Sequence, residues 1–150
     1  MTNRLIRRAA ALGAAIVLGG GAALAGASPA QAYGCYYGTA DVTSPEGGRG
    51  ATAAGRLCVN EYGNAWLDTN TNNYIKDLKA DGYGARAYIY WNQRYTGAIA
   101  FDDTSTSGPA KLSWESGGGT RYLWTELWVC LGYARPEDYT SRCSLVVYAS

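Results

Sequence analysis

The chain predicts an all-β fold, a small antiparallel β-sandwich with a disulfide-bearing extended N-terminal arm. Three observations carry this. The stretch Arg121 to Leu131, RYLWTELWVCL, alternates with a period of two, so that Leu123, Thr125, Leu127, Val129 and Leu131 share one face and Tyr122, Trp124, Glu126, Trp128 and Cys130 the other. Several other short apolar runs are separated by Gly, Pro, Asn and Asp turn signals, and no segment after residue 32 keeps a helical period. Such spacing fits a sandwich better than a closed barrel.

Met1 to Ala32 reads as a secretory leader. Arg4, Arg7 and Arg8 form its positive end, Leu5 to Ala27 its apolar segment, and Ala30-Gln31-Ala32 an A-x-A cleavage site. A membrane anchor fits less well, because the apolar part is rich in Ala and Gly and stops at Ser28-Pro29. Arg7-Arg8 lacks the bulky apolar pair of a twin-arginine signal, so ordinary export and an extracellular location are expected, with no membrane association after cleavage.

The expected arm is Tyr33 to Arg56. It holds six glycines, Pro45 and a single branched aliphatic, Val42, beside Tyr36 and Tyr37. Such a composition does not build a core by itself, so ordering it calls for a partner, with Tyr36, Tyr37 and Val42 filling alternate pockets as an added strand. Ser44-Pro45-Glu46-Gly47-Gly48 marks its turn. The β domain then runs from 57 to 150. Its expected strands are Leu57 to Val59, Ala65 to Leu67, Tyr74 to Leu78, Gly84 to Trp91, Tyr95 to Phe101, Lys111 to Glu115, the Arg121 strand and Ser144 to Tyr148. In the fourth, Ala85, Ala87, Ile89 and Trp91 face one way and Arg86, Tyr88 and Tyr90 the other. Asn92-Gln93-Arg94 joins it to the next as a hairpin, and Arg135-Pro136-Glu137-Asp138 is a loop.

An even count of four cysteines, Cys35, Cys58, Cys130 and Cys143, in an exported chain reads as two disulfides. Three pairings are possible. Short loops favour Cys35 with Cys58 and Cys130 with Cys143, each worth about 2–4 kcal/mol. A metal cluster is disfavoured, since there is no histidine and no C-x-x-C spacing, and no cofactor is expected. The leader takes three of thirteen basic residues and none of twelve acidic ones, which leaves ten against twelve and a net charge of −2. Scattered Lys and Arg without a basic stripe argue against nucleic acid.

Catalytic sets are mostly excluded by residue type. Without histidine there is no Ser-His-Asp or Cys-His system, and G-x-S-x-G, S-x-x-K and a phosphate-cradling loop are missing too. Asp68 to Asn73 begins like an EF-hand loop but carries Asn73 and Lys79 where Gly and Glu are needed, so it reads as a polar turn. Asp102, Asp103, Glu115 and Glu126 are the raw material for a carboxylate pair, but nothing in their spacing selects one, and a non-enzymatic protein is expected. What remains is aromatic. Thirteen Tyr and five Trp stand against one Phe, and rings that pair an apolar body with a polar tip suit wet interfaces, which makes Tyr122, Trp124 and Trp128 candidate binding residues.

The run Asp81-Gly82-Tyr83-Gly84-Ala85-Arg86-Ala87-Tyr88, followed by Trp128-x-Cys130 and a final Cys143, resembles the pattern of small exported streptomycete β-domain proteins. Within that group the layout is similar to the adaptor subunit of the umbrella toxin particles. The resemblance implies a non-enzymatic role in antibacterial competition: the N-terminal arm lodges in the repeat-built spoke of a very large secreted toxin polypeptide, and the β domain holds a lectin subunit. From the residues themselves, a hydrolase inhibitor and a glycan-binding or antimicrobial module stay open beside it.

Overall fold

Alternating burial along ten strands builds two antiparallel sheets that face each other across one apolar layer. The structure, a computed structural model, describes residues 33–117, 124–138 and 141–150. The leader and Tyr122 lie outside the described residues.

The first sheet runs β1 (Gly34–Thr43), β2 (Arg49–Val59), β4 (Tyr74–Asp77) and β8 (Ala110–Lys111), and β3 (Ala65–Leu67) pairs with the end of β2. The second runs β10 (Cys143–Ala149), β9 (Thr125–Leu131), β5 (Ala85–Trp91) and β6 (Arg94–Tyr95), with β7 (Ala100–Asp102) on β5 beside β6. A three-residue 3-10 turn at Pro136–Asp138 is the one helical element among the described residues, so none of their helices is long and apolar enough to cross a membrane. The expected strand at Lys111 to Glu115 shrinks to β8 and a single bridge between Trp66 and Glu115. Tyr95 to Phe101 splits into β6 and β7, because Thr96 turns back on Ile89 and Ile99 bonds Ala87. The hairpin between β5 and β6 closes through Asn92 and Gln93, whose φ angles of 55° and 60° lie in the left-handed region that a type I′ turn requires.

Inward positions follow the expected alternation. Leu127, Val129 and Leu131 of β9 and Ala85, Ala87 and Ile89 of β5 belong to the core, with Ile75, Leu57, Val59 and Leu67 opposite. Both disulfides take the short-loop pairing, Cys35 with Cys58 and Cys130 with Cys143, and each joins residues directly opposite each other in neighbouring strands. Peptide mapping without reduction should recover these two bridges and no other. A Cys130→Ala, Cys143→Ala variant should lose about 3 kcal/mol of stability in denaturant titrations; an unchanged midpoint would show that the bridge is inert.

The separate arm is not what the structure builds. Residues 33–56 form β1 and most of β2, and the expected boundary at Arg56 falls inside β2, the strand to which β1, β3 and β4 all pair. Val42 is 1% exposed and sits in the core, so it is not a partner-facing residue. Counting aliphatics in this segment alone missed its complement across the interface. Ala51 and Ala53 are fully buried, and Gly55 lies where a Cβ would come 2.7 Å from Leu127 Cδ2. A Cβ on Gly50 would meet Leu131 Cδ1 at the same distance, and one on Gly38 would overlap the Val146 carbonyl oxygen. Small residues on the first sheet therefore receive large ones from the second, and a segment with one branched aliphatic still closes a dense core. At the Gly38 crossing β1 lies against β10, where the Ser144 hydroxyl donates to the Asp41 carbonyl at 3.0 Å. β10 is thus packed closely on the inner face of β1.

Candidate functional site

The outer face of the second sheet gathers Tyr90, Tyr95, Trp124, Trp128 and Tyr148. Register sets the pattern: Tyr88 stands opposite Trp128 and Trp128 opposite Leu145, while Tyr90 and Tyr148 flank Glu126 from either side. Tyr95 is opposite Tyr90. These are outward positions, because each alternates with a core residue on its own strand or, for Tyr95, is paired with one that does.

The rings form a connected row. Trp124 stacks on Tyr90, with centroids 4.7 Å apart and planes at 15°, and on Tyr148 at 6.0 Å and 25°. Tyr95 meets Tyr90 edge to face at 4.8 Å and Trp128 at 6.3 Å. Offset and edge contacts of this kind each add about 0.5–1.5 kcal/mol beyond area burial and hold the rings in place. The single carboxylate is engaged: Trp128 Nε1 donates to Glu126 at 2.6 Å, which fixes the indole orientation. Tyr148 is 46% exposed and the neighbouring Leu145 42%, while Tyr90, Tyr95, Trp124 and Trp128 are half-buried. Nearer the far end of β5, Phe101 is 65% exposed beside Arg86, whereas Tyr88 is buried.

Of the candidate residues, the structure brings Trp124 and Trp128 onto this one face. Tyr36 and Tyr37 lie on β1 and point to opposite sides, since Tyr36 stands across from core-facing Leu57 and Tyr37 across from Arg56. Both are exposed, and the Tyr36 hydroxyl donates to the Ser150 carbonyl oxygen at 3.3 Å. Tyr90, Tyr95 and Tyr148 were not singled out from the sequence. The alternation of the Gly84 to Trp91 strand already put Tyr90 outward, but its adjacency to Trp124 required the β5–β9 register.

The four carboxylates considered for hydrolysis occupy three separate places. Glu126 is on the aromatic face, Glu115 bridges Trp66 of the first sheet, and Asp102 ends β7 with Asp103 directly after it. Asp102 is 6% exposed and serves the backbone, accepting from the N–H groups of Asp77 and Thr104. The Asp68 to Asn73 segment is a polar turn closed on itself: Asn73 donates to the Asp68 carbonyl oxygen at 2.7 Å and accepts from the Arg56 N–H at 2.8 Å.

Asp77, 3% exposed, is the carboxyl with an unusual environment. Burial pushes it above its ordinary value of 3.8, the Lys79 N–H works against that, and Asp81, Asp102 and Asp103 add to the rise. The folded state therefore keeps the proton to higher pH than the unfolded chain. The associated stability is complete below 3.8 and falls as pH rises through the folded value. Asp41 has the opposite sign, since the Arg49 guanidinium holds it below 3.8 and its contribution is lost as pH falls. We predict that Asp77→Asn raises the denaturant midpoint more at neutral pH than below pH 3.8. An equal gain at both would disconnect Asp77 from the pH dependence.

Fold and face together define a disulfide-bonded two-sheet β domain with one sheet lined externally by stacked aromatics. No family model, curated protein or solved structure matches the chain.

Proposed function

We propose that the protein is a secreted, non-enzymatic adaptor that holds a protein partner on the aromatic face of its second sheet. The observation that supports this reading best is the Tyr148, Trp124, Tyr90, Tyr95 and Trp128 row: mutually packed amphipathic rings on the outer face of a sheet. Such rings dominate the energetics of protein interfaces, because they offer large contact area with little side-chain freedom to lose. Two disulfides accord with export, as these bonds persist in oxidising compartments.

In this reading the partners are those of the toxin-particle resemblance, a lectin subunit and a large repeat-containing secreted polypeptide. The lectin takes the aromatic face. The large polypeptide takes the outer side of the β1–β2 hairpin around Tyr37, which is 60% exposed, as the hairpin itself is part of the folded domain. The role is that of a fixed coupling piece in antibacterial competition.

The test is affinity capture of tagged protein from culture supernatant with mass spectrometry, comparing wild type with a Trp124→Ala, Tyr148→Ala variant of matched melting temperature. Wild type should bring down a lectin-sized chain and a very large one, and the variant should lose the lectin. Recovery of a single hydrolase in one-to-one ratio, or steady turnover of peptides or glycans by the pure protein, would replace the adaptor reading.

A further inference from the structure

A cleft of about 900 Å³ opens at the end of the second sheet opposite the Trp124 row, between the start of β5, the end of β7 and the loop after β9. Its volume is within the range of small-molecule sites, and its lining sets Arg86 and Arg142 among Asp77, Asp103 and Asp138, with Tyr83 and Tyr133. Two guanidinium groups reach it, each lying over a tyrosine ring: Arg86 over Tyr133 at 4.8 Å and Arg142 over Tyr83 at 5.1 Å. Their situations differ. Arg86 donates to the Gly132 carbonyl oxygen at 2.6 Å and has Asp103 at 3.7 Å, so its charge is already matched. Among the described residues no carboxylate lies within ion-pair distance of Arg142, which lines the cleft with its guanidinium over Tyr83. A planar fork of five donors is suited to a bidentate oxyanion.

The rest of the lining selects the body that carries that anion. Tyr133 is 89% exposed and carries Arg86 over one face of its ring, and the other face offers a flat apolar surface of the kind that receives the C–H face of a pyranose. The Asp103 side chain is 52% exposed and Thr106 is close by in the wall, so acceptor and hydroxyl groups are available to sugar hydroxyls. We propose that this cleft binds an acidic saccharide, with the carboxylate of a uronic acid on Arg142 and a sugar ring on Tyr133. The site is independent of the adaptor face, which is at the other end of β5 and β9.

The experiment is a titration of the isotopically labelled full chain with trigalacturonic acid, followed by amide NMR shifts. Neutral maltotriose and a short peptide ending in a free carboxylate serve as comparisons. Saturable shifts should centre on Gly84, Gly132 and Arg142, with trigalacturonate binding at least tenfold more tightly than either comparison. Arg142→Gln should weaken it about tenfold or more, the loss expected for a charge-assisted hydrogen bond, and Tyr133→Ala should weaken it as well. Trp124→Ala should leave it unchanged, which keeps this result separate from the fate of the adaptor reading. Absence of saturable shifts, equal affinity for maltotriose or the peptide, or unchanged affinity in a folded Arg142→Gln variant would overturn the proposal.

Discussion

A chain beginning at Leu57, with Cys58→Ser to avoid a free thiol, will not fold. The deletion removes β1 entirely and the first eight residues of β2, Arg49 to Arg56, on which β4 depends for its pairing through Ala51 to Ala54. It also takes Val42, Ala51 and Ala53 out of the core and one of the two disulfides out of the molecule. The bridge alone is worth about 2–4 kcal/mol, and burying one Val side chain about 1.5–3 kcal/mol. Against a total stability of roughly 5–15 kcal/mol for a domain of this kind, and with the inner faces of β9 and β10 newly uncovered, nothing is left to hold the sheets together. Collapse of amide dispersion and loss of a cooperative melt are the expected readings. A truncated chain that melts cooperatively near the wild-type temperature would mean that the first hairpin is dispensable after all.

The second large effect is expected where the sheets interlock. Leu127 is fully buried at the centre of the second sheet, and its Cδ2 occupies the space left by Gly55 of β2. Leu127→Ala should cost about 3–4 kcal/mol, transfer loss plus the cavity between two sheets that pack along their whole length. Gly55→Ala in the wild-type background should also destabilise, by about 1–3 kcal/mol, because the added methyl must displace the leucine. Combined, the two should be less costly than their sum, since the new methyl enters the space that the leucine vacates. A double-mutant cycle by urea denaturation measures that coupling. Strict additivity would show that the two residues do not share a space.

The sandwich, most of its strands and both disulfides were legible because they rest on local signals. Alternation in Arg121 to Leu131 and in Ala85 to Trp91 is written into consecutive residues, and so is the short spacing of each cysteine pair. The misreading of residues 33–56 has a single physical origin. Gly38, Gly50, Gly55, Ala51 and Ala53 look like a segment unable to form a core, and only the opposite sheet shows that they are one half of it. The same limit applied to the aromatic face. Trp124 and Trp128 were visible on one strand, while Tyr90, Tyr95 and Tyr148 joined them through pairings between strands distant in sequence. Arg142 and Tyr83 meet in the same non-local way, and no spacing along the chain announces their cleft.

Both disulfides bind a strand to its immediate sheet neighbour, Cys35 to Cys58 across β1 and β2 and Cys130 to Cys143 across β9 and β10, and neither spans the two layers. For a polypeptide that emerges amino terminus first, this order matters. The first two thiols are both available 72 residues before the third leaves the ribosome or the export channel, as Cys58 and Cys130 are that far apart. Oxidation in sequence of appearance therefore yields the native connectivity directly. Of the three possible pairings, the correct one needs no reshuffling, and each bridge can close before the layers have met.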